Sequence, residues 1–375
     1  MLFSLLWYIQ YIIYSYSKFI NYSECTLRFK GLKLGLCLVF AVLSKQGMAI
    51  TDINLQLKWT HQFQFAGYYV AKQQGFYKEA GLNVTILPAD PDNPDTFSKV
   101  LAGQAQFGVG HSGILQQRIA GKPLVAMAAI LQFSPYCWMV KKSSDIFHPR
   151  DFVNKRISSI SRKENAELLV MLERSGINTD SLPAYGSDNH SANWLTGVID
   201  AMQVYVTNEP YIMREQGIDF RLICPQKYGI NVYSDILYTT ENMLQQQPET
   251  VEAFYQASLK GWRYAMMHMD EAIALTQHDY APQKSFSQLA YEAEVLSDYI
   301  LPAGTNLGAM SIAKWRLIAD LYGIEQTAFN QAQNGFIYQY AEPEEFKMSW
   351  MLIAAIIISL ISLPLYLRLM LRKSI

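Results

Sequence analysis

Residues Leu57–Val84 read LKWTHQFQFAGYYVAKQQGFYKEAGLNV, and this stretch decides the fold. Its left end closes an apolar run, Asn54–Trp59, of strand character. From Ala66 to Glu79 the small and apolar residues recur three or four apart, and Gly81 ends the helix they predict. Leu82–Pro88 then alternates as a second strand. Strand, helix and strand in this order make one β-α-β unit, so the two strands are expected to be parallel. Trp59, His61, Phe63, Phe65, Tyr68 and Tyr69 crowd into the turn between the first strand and its helix. Open α/β sheets bind ligands beyond the carboxyl ends of their strands, so Trp59 and His61 are expected to line a cleft, whereas Phe63, Phe65 and Tyr69 also read as core.

The alternation continues through helix Thr96–Ala102, strand Phe107–Val109, helix Ser112–Ala120 and strand Leu124–Leu131. A second cycle starts after Asp151 with strand Arg156–Ile160, helix Asn165–Arg174 and a strand near Ser181–Tyr185. Helix Ser191–Thr196, strand Ala201–Val206, helix Glu209–Glu215 and strand Phe220–Ile223 follow. From about Tyr238 onward, Pro248–His268, Met269–Thr276, Gln283–Ile300 and Ser311–Tyr322 keep helical spacing, so this tail is expected to be almost wholly helical and to pack on the first lobe. The expected fold is α/β with mainly parallel strands. Lobe 1 spans about 50–140 and 238–345, lobe 2 about 145–232, and the chain crosses between them near 138–146 and 230–238.

A chain of 375 residues suffices for two such lobes, each with a sizeable core. Half of the residues are apolar and only 17% charged, which points to membrane segments added to an ordinary globular composition. A net charge of -1 supplies no basic field for a phosphate backbone, which excludes nucleic acid as a partner.

The apolar excess sits at the two ends. GLKLGLCLVFAVLS, Gly31–Ser44, sets Lys33 ahead of an apolar core and is followed by Gly47, Met48 and Ala49. This is the pattern of a secretory signal, so residues 1–49 are an expected leader and the mature chain starts near Ile50. Upstream, the apolar and aromatic stretch from Met1 to Tyr22 is open to two readings: a first membrane helix, or sequence ahead of the true start. Near the other end, SWMLIAAIIISLISLPLYL, Ser349–Leu367, carries no charge and is followed by Arg368, Arg372 and Lys373. Its length and lack of a polar face favour a transmembrane helix at about 348–370 over a buried core helix. The basic tail 371–375 is then cytoplasmic and residues of about 50–347 lie on the periplasmic side. So few residues follow the span that no kinase or cyclase module is expected in this chain. Of the four cysteines, Cys25 and Cys37 fall in the leader. Cys137 and Cys224 remain for the body, either as a disulfide or as two buried thiols, and without a CxxC pair no metal site is expected from them.

Two further turns follow the logic of the first. GVGHSG, Gly108–Gly113, enters a helix with free backbone N–H groups that can receive an anionic or carbonyl oxygen, which brings Gly110, His111 and Ser112 forward as ligand-binding candidates. SSISRKENAELL, Ser158–Leu169, does the same in lobe 2 with Ser161 as N-cap. Every α/β protein has such turns, and His111 alone reads as a surface residue more readily than as a base. YVTNEP, Tyr205–Pro210, puts Thr207, Asn208 and Glu209 at a strand end, where a hydrogen-bonding set facing the hinge is expected.

Together these motifs carry a family likeness. LKWTHQFQFAGYYVAKQQGFYKEAGLNV, AGQAQFGVG, AGKPLVAMAAI, the AELL at Ala166 and YVTNEP occur in one order, and the body from about 52 to 340 resembles the periplasmic solute-binding proteins of the sulfonate-binding and thiamine-pyrimidine type. These share a fold with the fungal thiamine pyrimidine synthases. The HQFQFAGYY version is most similar to sensory domains that precede membrane helices in bacterial receptors. The resemblance implies the periplasmic-binding-protein type II fold, two doubly wound lobes closing about a hinge on a small organic molecule. It places Trp59, His61, Gln64, Tyr68, His111, Ser112, Glu167, Tyr205 and Asn208 on the cleft. Rings such as Trp59 and Tyr68 would stack on a heteroaromatic ligand, while Glu167 and Asn208 would pair with its N–H groups. The implied partners are the membrane and an ABC permease or a signalling output module, without a cofactor.

The same resemblance implies a rival, a synthase that builds the thiamine pyrimidine from a histidine and pyridoxal phosphate with iron. The sequence departs from that pattern. The position of the synthase lysine falls at Gly110 or its neighbour, and the Cys-Cys-Cys-Phe-Cys motif is replaced by CPQKYGINVY, Cys224–Tyr233.

Overall fold

A computed structural model describes residues 50–90, 95–158, 166–186 and 189–340. The expected leader, the Ser161 turn and the Ser349–Leu367 span lie outside these residues. Among the described residues ten strands run in chain order: β1 (Thr51–Gln56), β2 (Leu82–Leu87), β3 (Phe107–Gly110), β4 (Leu124–Leu131), β5 (Tyr136–Lys141), β6 (Ile157–Ser158), β7 (Ala184–Tyr185), β8 (Ala201–Tyr205), β9 (Phe220–Ile223) and β10 (Ser234–Thr240). They form two five-stranded sheets, ordered β2-β1-β3-β10-β4 and β7-β6-β8-β5-β9.

Each sheet combines a parallel set with one reversed strand. β1 pairs in parallel with β2 and β3, and β6 with β7 and β8. β10 runs antiparallel between β3 and β4, and β5 antiparallel between β8 and β9. In both lobes the reversed strand is the one that has just arrived from the other lobe.

These two strands correct the expected boundaries. The chain leaves the first sheet after Leu131 and enters the second at Tyr136, then crosses back between Ile223 and Ser234. Both crossings fall earlier than the pattern suggested. The reason is physical: four consecutive residues of β5 and six of β10 are buried. Strands covered on both faces lose the polar–apolar alternation by which a strand is recognised.

After β10 the tail is helical as expected, through Glu241–Gln246, Pro248–Met267, Met269–Leu275, Phe286–Ile300, Ile312–Leu321 and Gln326–Ala332. The helix read over Ala66–Glu79 is interrupted: Ala66–Gln73 and Phe76–Glu79 are separated by Gly75 in the left-handed region, φ 75°. Helix Pro248–Met267 lies directly on Ala66–Gln73 because the contact is lined by glycines. A Cβ at Gly261 would meet the Gly67 carbonyl oxygen at 2.2 Å, and one at Gly67 would meet the Trp262 ring at 2.1 Å. The exposed edge of β4 is covered by the tail, whose Gly308 and Phe336 carbonyls accept from Ala129 and Ala126 N–H at 3.1 and 2.8 Å.

Helix Phe286–Ile300 touches both lobes. Leu289, Ala293, Leu296 and Ile300 enter lobe 1 cores, while Val295 and Tyr299 pack on the lobe 2 core. The Tyr291 hydroxyl donates to the Val206 carbonyl at 3.2 Å, and Gln226 Nε2 donates to the Tyr299 hydroxyl at 2.8 Å. The two body cysteines are joined: Cys137, in β5, is disulfide-bonded to Cys224, just past β9, across a Cα–Cα distance of 4.3 Å. Among the described residues no helix is long and apolar enough to cross a membrane.

Candidate functional site

The lobes face each other across the carboxyl ends of β1, β3 and β8 and the first turn of helix Ala166–Arg174, where an α/β sheet is expected to hold its ligand. Lys58, just past β1, pairs its ammonium with Asp235 at the start of β10 and donates to Ser234 Oγ at 3.1 Å. The same ammonium sits 5.8 Å from the ring centroid of Tyr205 on the opposite lobe. Tyr205 itself is buried within the lobe 1 core that contains Tyr68.

Glu167 approaches from lobe 2. Only 2% exposed, it accepts the Ser134 hydroxyl on Oε1 at 2.5 Å, while its Oε2 has no partner. Burial pushes its carboxyl above the usual range, opposed by the Ser134 hydrogen bond, a backbone N–H and the charge of Lys58. Asp235 Oδ2, the Tyr205 hydroxyl and Thr207 Oγ1 are also buried without partners. Buried polar atoms are normally satisfied, so these orphans make the region around Lys58 and Glu167 the candidate site.

The structure places the sequence candidates unevenly. Tyr68, Glu167 and Tyr205 surround the Lys58–Asp235 pair, with Tyr68 edge-on to Trp262 at 5.7 Å. His111 is not the surface residue its turn suggested. Its Nδ1 accepts from Gly113 N–H at 3.1 Å and its ring packs against Phe97. Burial first, and then the charge of Lys58, push its pKa down to about 3, so it is neutral near pH 7. Ser112 hydrogen-bonds the Tyr322 hydroxyl from the tail. Asn208 precedes helix Glu209–Glu215 as N-cap with its Oδ1 unpaired, and Glu209 turns back to accept the Tyr205 N–H at 2.9 Å.

The remaining candidates fall elsewhere. His61 is half-buried in an aromatic group, with Nδ1 2.9 Å from the Tyr69 hydroxyl and its ring 5.4 Å from Tyr280, and burial lowers its pKa. Gln64 is buried, accepts from Gln62 and leaves its Nε2 unpaired. Trp59 is 48% exposed. Phe63, Phe65 and Tyr69 are fully buried, which fits the core reading. Gly110 closes β3 beneath Phe97 and Tyr238, and Ser161 lies outside the described residues.

Lys58, Ser134, Asp235 and Tyr322 were not singled out in the sequence. Lys58 stands beside Trp59 in the quoted stretch, and its charge at a strand end was a usable signal. Ser134 and Asp235 border the two crossings, and nothing local shows that residues as far apart as Lys58 and Ser234 meet.

Two α/β sheets joined by two crossings, with buried polar side chains at their strand ends, define the two-lobed solute-binding fold. The periplasmic aliphatic sulphonate binding protein SsuA from Escherichia coli has that fold, with a TM-score of 0.59, 14% identity and coverage of 79% of this chain and 94% of the other. The chain belongs to the NMT1/THI5 like family, matched over residues 62–272. It is 24% identical over 266 residues to the formylaminopyrimidine-binding protein of Halalkalibacterium halodurans, covering 68% of this chain and 80% of that protein. It is 26% identical over 237 residues to the 4-amino-5-hydroxymethyl-2-methylpyrimidine phosphate synthase of Legionella pneumophila, covering 60% and 72%.

The residues present do not fit the cofactors of the synthase pattern. Neither Gly110 nor its neighbours Val109 and His111 is the lysine that would hold pyridoxal phosphate, and a Cβ at Gly110 would press on the Phe97 ring at 2.9 Å. The sulfur of Cys224 is bound to Cys137 and offers no thiolate to iron.

Proposed function

We propose that this chain is an exported solute-binding protein whose two lobes close on a small pyrimidine-like ligand. The leader delivers residues of about 50–347 to the periplasmic side, the apolar helix at 348–370 holds them at the cytoplasmic membrane, and an ABC permease or a signalling module is the partner. The observation that carries the binding reading is Glu167, buried with one oxygen bonded to Ser134 and the other unpaired between the lobes. A carboxyl so placed completes its hydrogen bonding with the N–H edge of a heterocycle, while Tyr205 and Tyr68 supply ring surface. The family relative that binds formylaminopyrimidine supports that ligand class. The Cys137–Cys224 disulfide supports export, since such bonds persist mainly in oxidising compartments.

The test is a thermal-shift screen of the purified chain against aminopyrimidines and other small metabolites. A ligand at a hundredfold excess over its Kd should stabilise the fold by about 2.7 kcal/mol. Glu167→Ala should abolish that shift while the protein stays folded. A screen without any shift, or a reporter fused ahead of Ser349 that remains in the cytosol, would remove the binding or the export half of the proposal respectively.

A further inference from the structure

Lys58 and Asp235 form a buried ion pair within lobe 1, with side chains 10% and 1% exposed. Such a pair is a poor stabilising device, because removing two charges from water offsets most of their attraction and apolar residues of similar volume do as well. Its position is more informative. Lys58 leans over the ring of Tyr205 and lies within electrostatic reach of Glu167 and His111. Asp235 and Ser234 already engage its ammonium. The backbone at Asp235 is held at φ 47°, a left-handed conformation that Asp and Asn adopt more readily than other non-glycine residues. Of the orphaned carboxylate oxygens, Asp235 Oδ2 beside the Lys58 cation accepts, and Glu167 Oε2 accepts while its carboxyl is ionised.

Resting on the binding reading above, we propose that the Lys58–Asp235 pair sets the charge class of the ligand. With the cation neutralised from within its own lobe, the cleft takes an uncharged or cationic heterocycle rich in N–H groups and turns away sulfonates, carboxylates and phosphate esters. Lys58 is a specificity residue, and Asp235 acts through it as a positioning residue. An anion entering between the lobes meets carboxylate oxygens and a cation whose charge is already balanced by Asp235, with two of its three N–H groups engaged. The neutral His111 adds no positive charge.

The experiment compares three probes by calorimetry on the full chain: an aminopyrimidine alcohol, its phosphate monoester and ethanesulfonate. The wild type should bind the alcohol at least about tenfold more tightly than either anion, the scale of an uncompensated charge in a partly buried site. Asp235→Asn keeps a residue suited to the left-handed backbone and frees Lys58. It should bring the alcohol-to-phosphate affinity ratio down by about tenfold or more and introduce measurable ethanesulfonate binding. Lys58→Met combined with Asp235→Asn removes both charges without stranding either. It should keep alcohol binding and still refuse the anions, which also separates specificity from a loss of fold. Anions that bind the wild type as tightly as the alcohol, or an Asp235→Asn variant with an unchanged ratio, would overturn the inference while the binding reading stands. A wild type that binds none of the probes would overturn both.

Discussion

The two lobes have one topology and two ways of being held together. In each, a parallel three-stranded set is followed by a reversed strand from the other lobe and then an edge strand. Lobe 1 embeds this plan in a large apolar interior, where Phe107, Phe254 and Tyr77 stack in series at 3.9 and 5.2 Å and the tail covers the β4 edge. Among the described residues of lobe 2, β7 has two residues and both are exposed. The reversed strand of lobe 2 is instead tied to its edge strand by Cys137–Cys224, next to the second crossing. The same plan is therefore stabilised by burial in one lobe and by a covalent staple in the other.

That contrast can be broken at its strongest point first. Replacing Cys137 and Cys224 by serine, which opens a loop of sequence separation 87, should cost about 2–5 kcal/mol of stability. Urea unfolding followed by hydrogen exchange should show lobe 2 amides losing protection before those of lobe 1. Equal midpoints under oxidising and reducing conditions would mean that the staple is not what holds the small lobe.

Lobe 1 should fail through its packing. Gly261→Ala forces a methyl group against the Gly67 carbonyl and Ala71 backbone, contacts that a flexible side chain cannot relieve, and should destabilise by about 1–3 kcal/mol or more. Chemical denaturation of the oxidised protein reads this directly. An unchanged midpoint would show that the two helices can separate without loss.

The smallest effect concerns pH and distinguishes groups on the two faces of the cleft. Glu167 has a raised carboxyl pKa, so the folded protein keeps its proton to higher pH than the unfolded chain. Its contribution to stability is lost as pH rises from about 4.3 through the raised value. His111 acts in the opposite direction: with a folded pKa of about 3, its contribution is present above about 6.5 and lost as pH falls below that. Glu167→Gln should therefore flatten the loss of stability on the alkaline side of the carboxylate range, and His111→Gln the loss on the acid side of neutrality. Thermal melts across pH 4–8 check both, and variants whose profiles parallel the wild type would contradict these assignments.

Much of this architecture was legible in the chain. The strand Leu124–Leu131 and the helix Glu209–Glu215 lie where their periodicity and punctuation put them, and the β-α-β unit around Leu57–Val84 is present with its first strand earlier, at Thr51–Gln56, and its helix broken at Gly75. Glu167 and Tyr205, singled out through motifs at strand and helix ends, do lie together beside the Lys58–Asp235 pair. The elements that escaped were β5 and β10, whose residues are buried on both faces and carry no two-residue rhythm. The site residues that escaped, Ser134 and Asp235, stand at those same crossings. The aromatic turn misled in part, since the chemistry of Trp59 and His61 suits a cleft, yet one ring is half exposed and the other is committed to Tyr69 and Tyr280.

The sequence by itself determined the α/β alternation, the two-lobed plan, the apolar ends and the family, because periodicity and local motifs act over a few residues and survive without a partner. Only the tertiary structure decided which lobe each reversed strand joins, that Cys137 meets Cys224, and that Lys58 spends its charge on Asp235. Those outcomes depend on contacts between residues that are remote along the chain, and no local pattern encodes which distant side chain will be there to receive a charge, a hydroxyl or a sulfur.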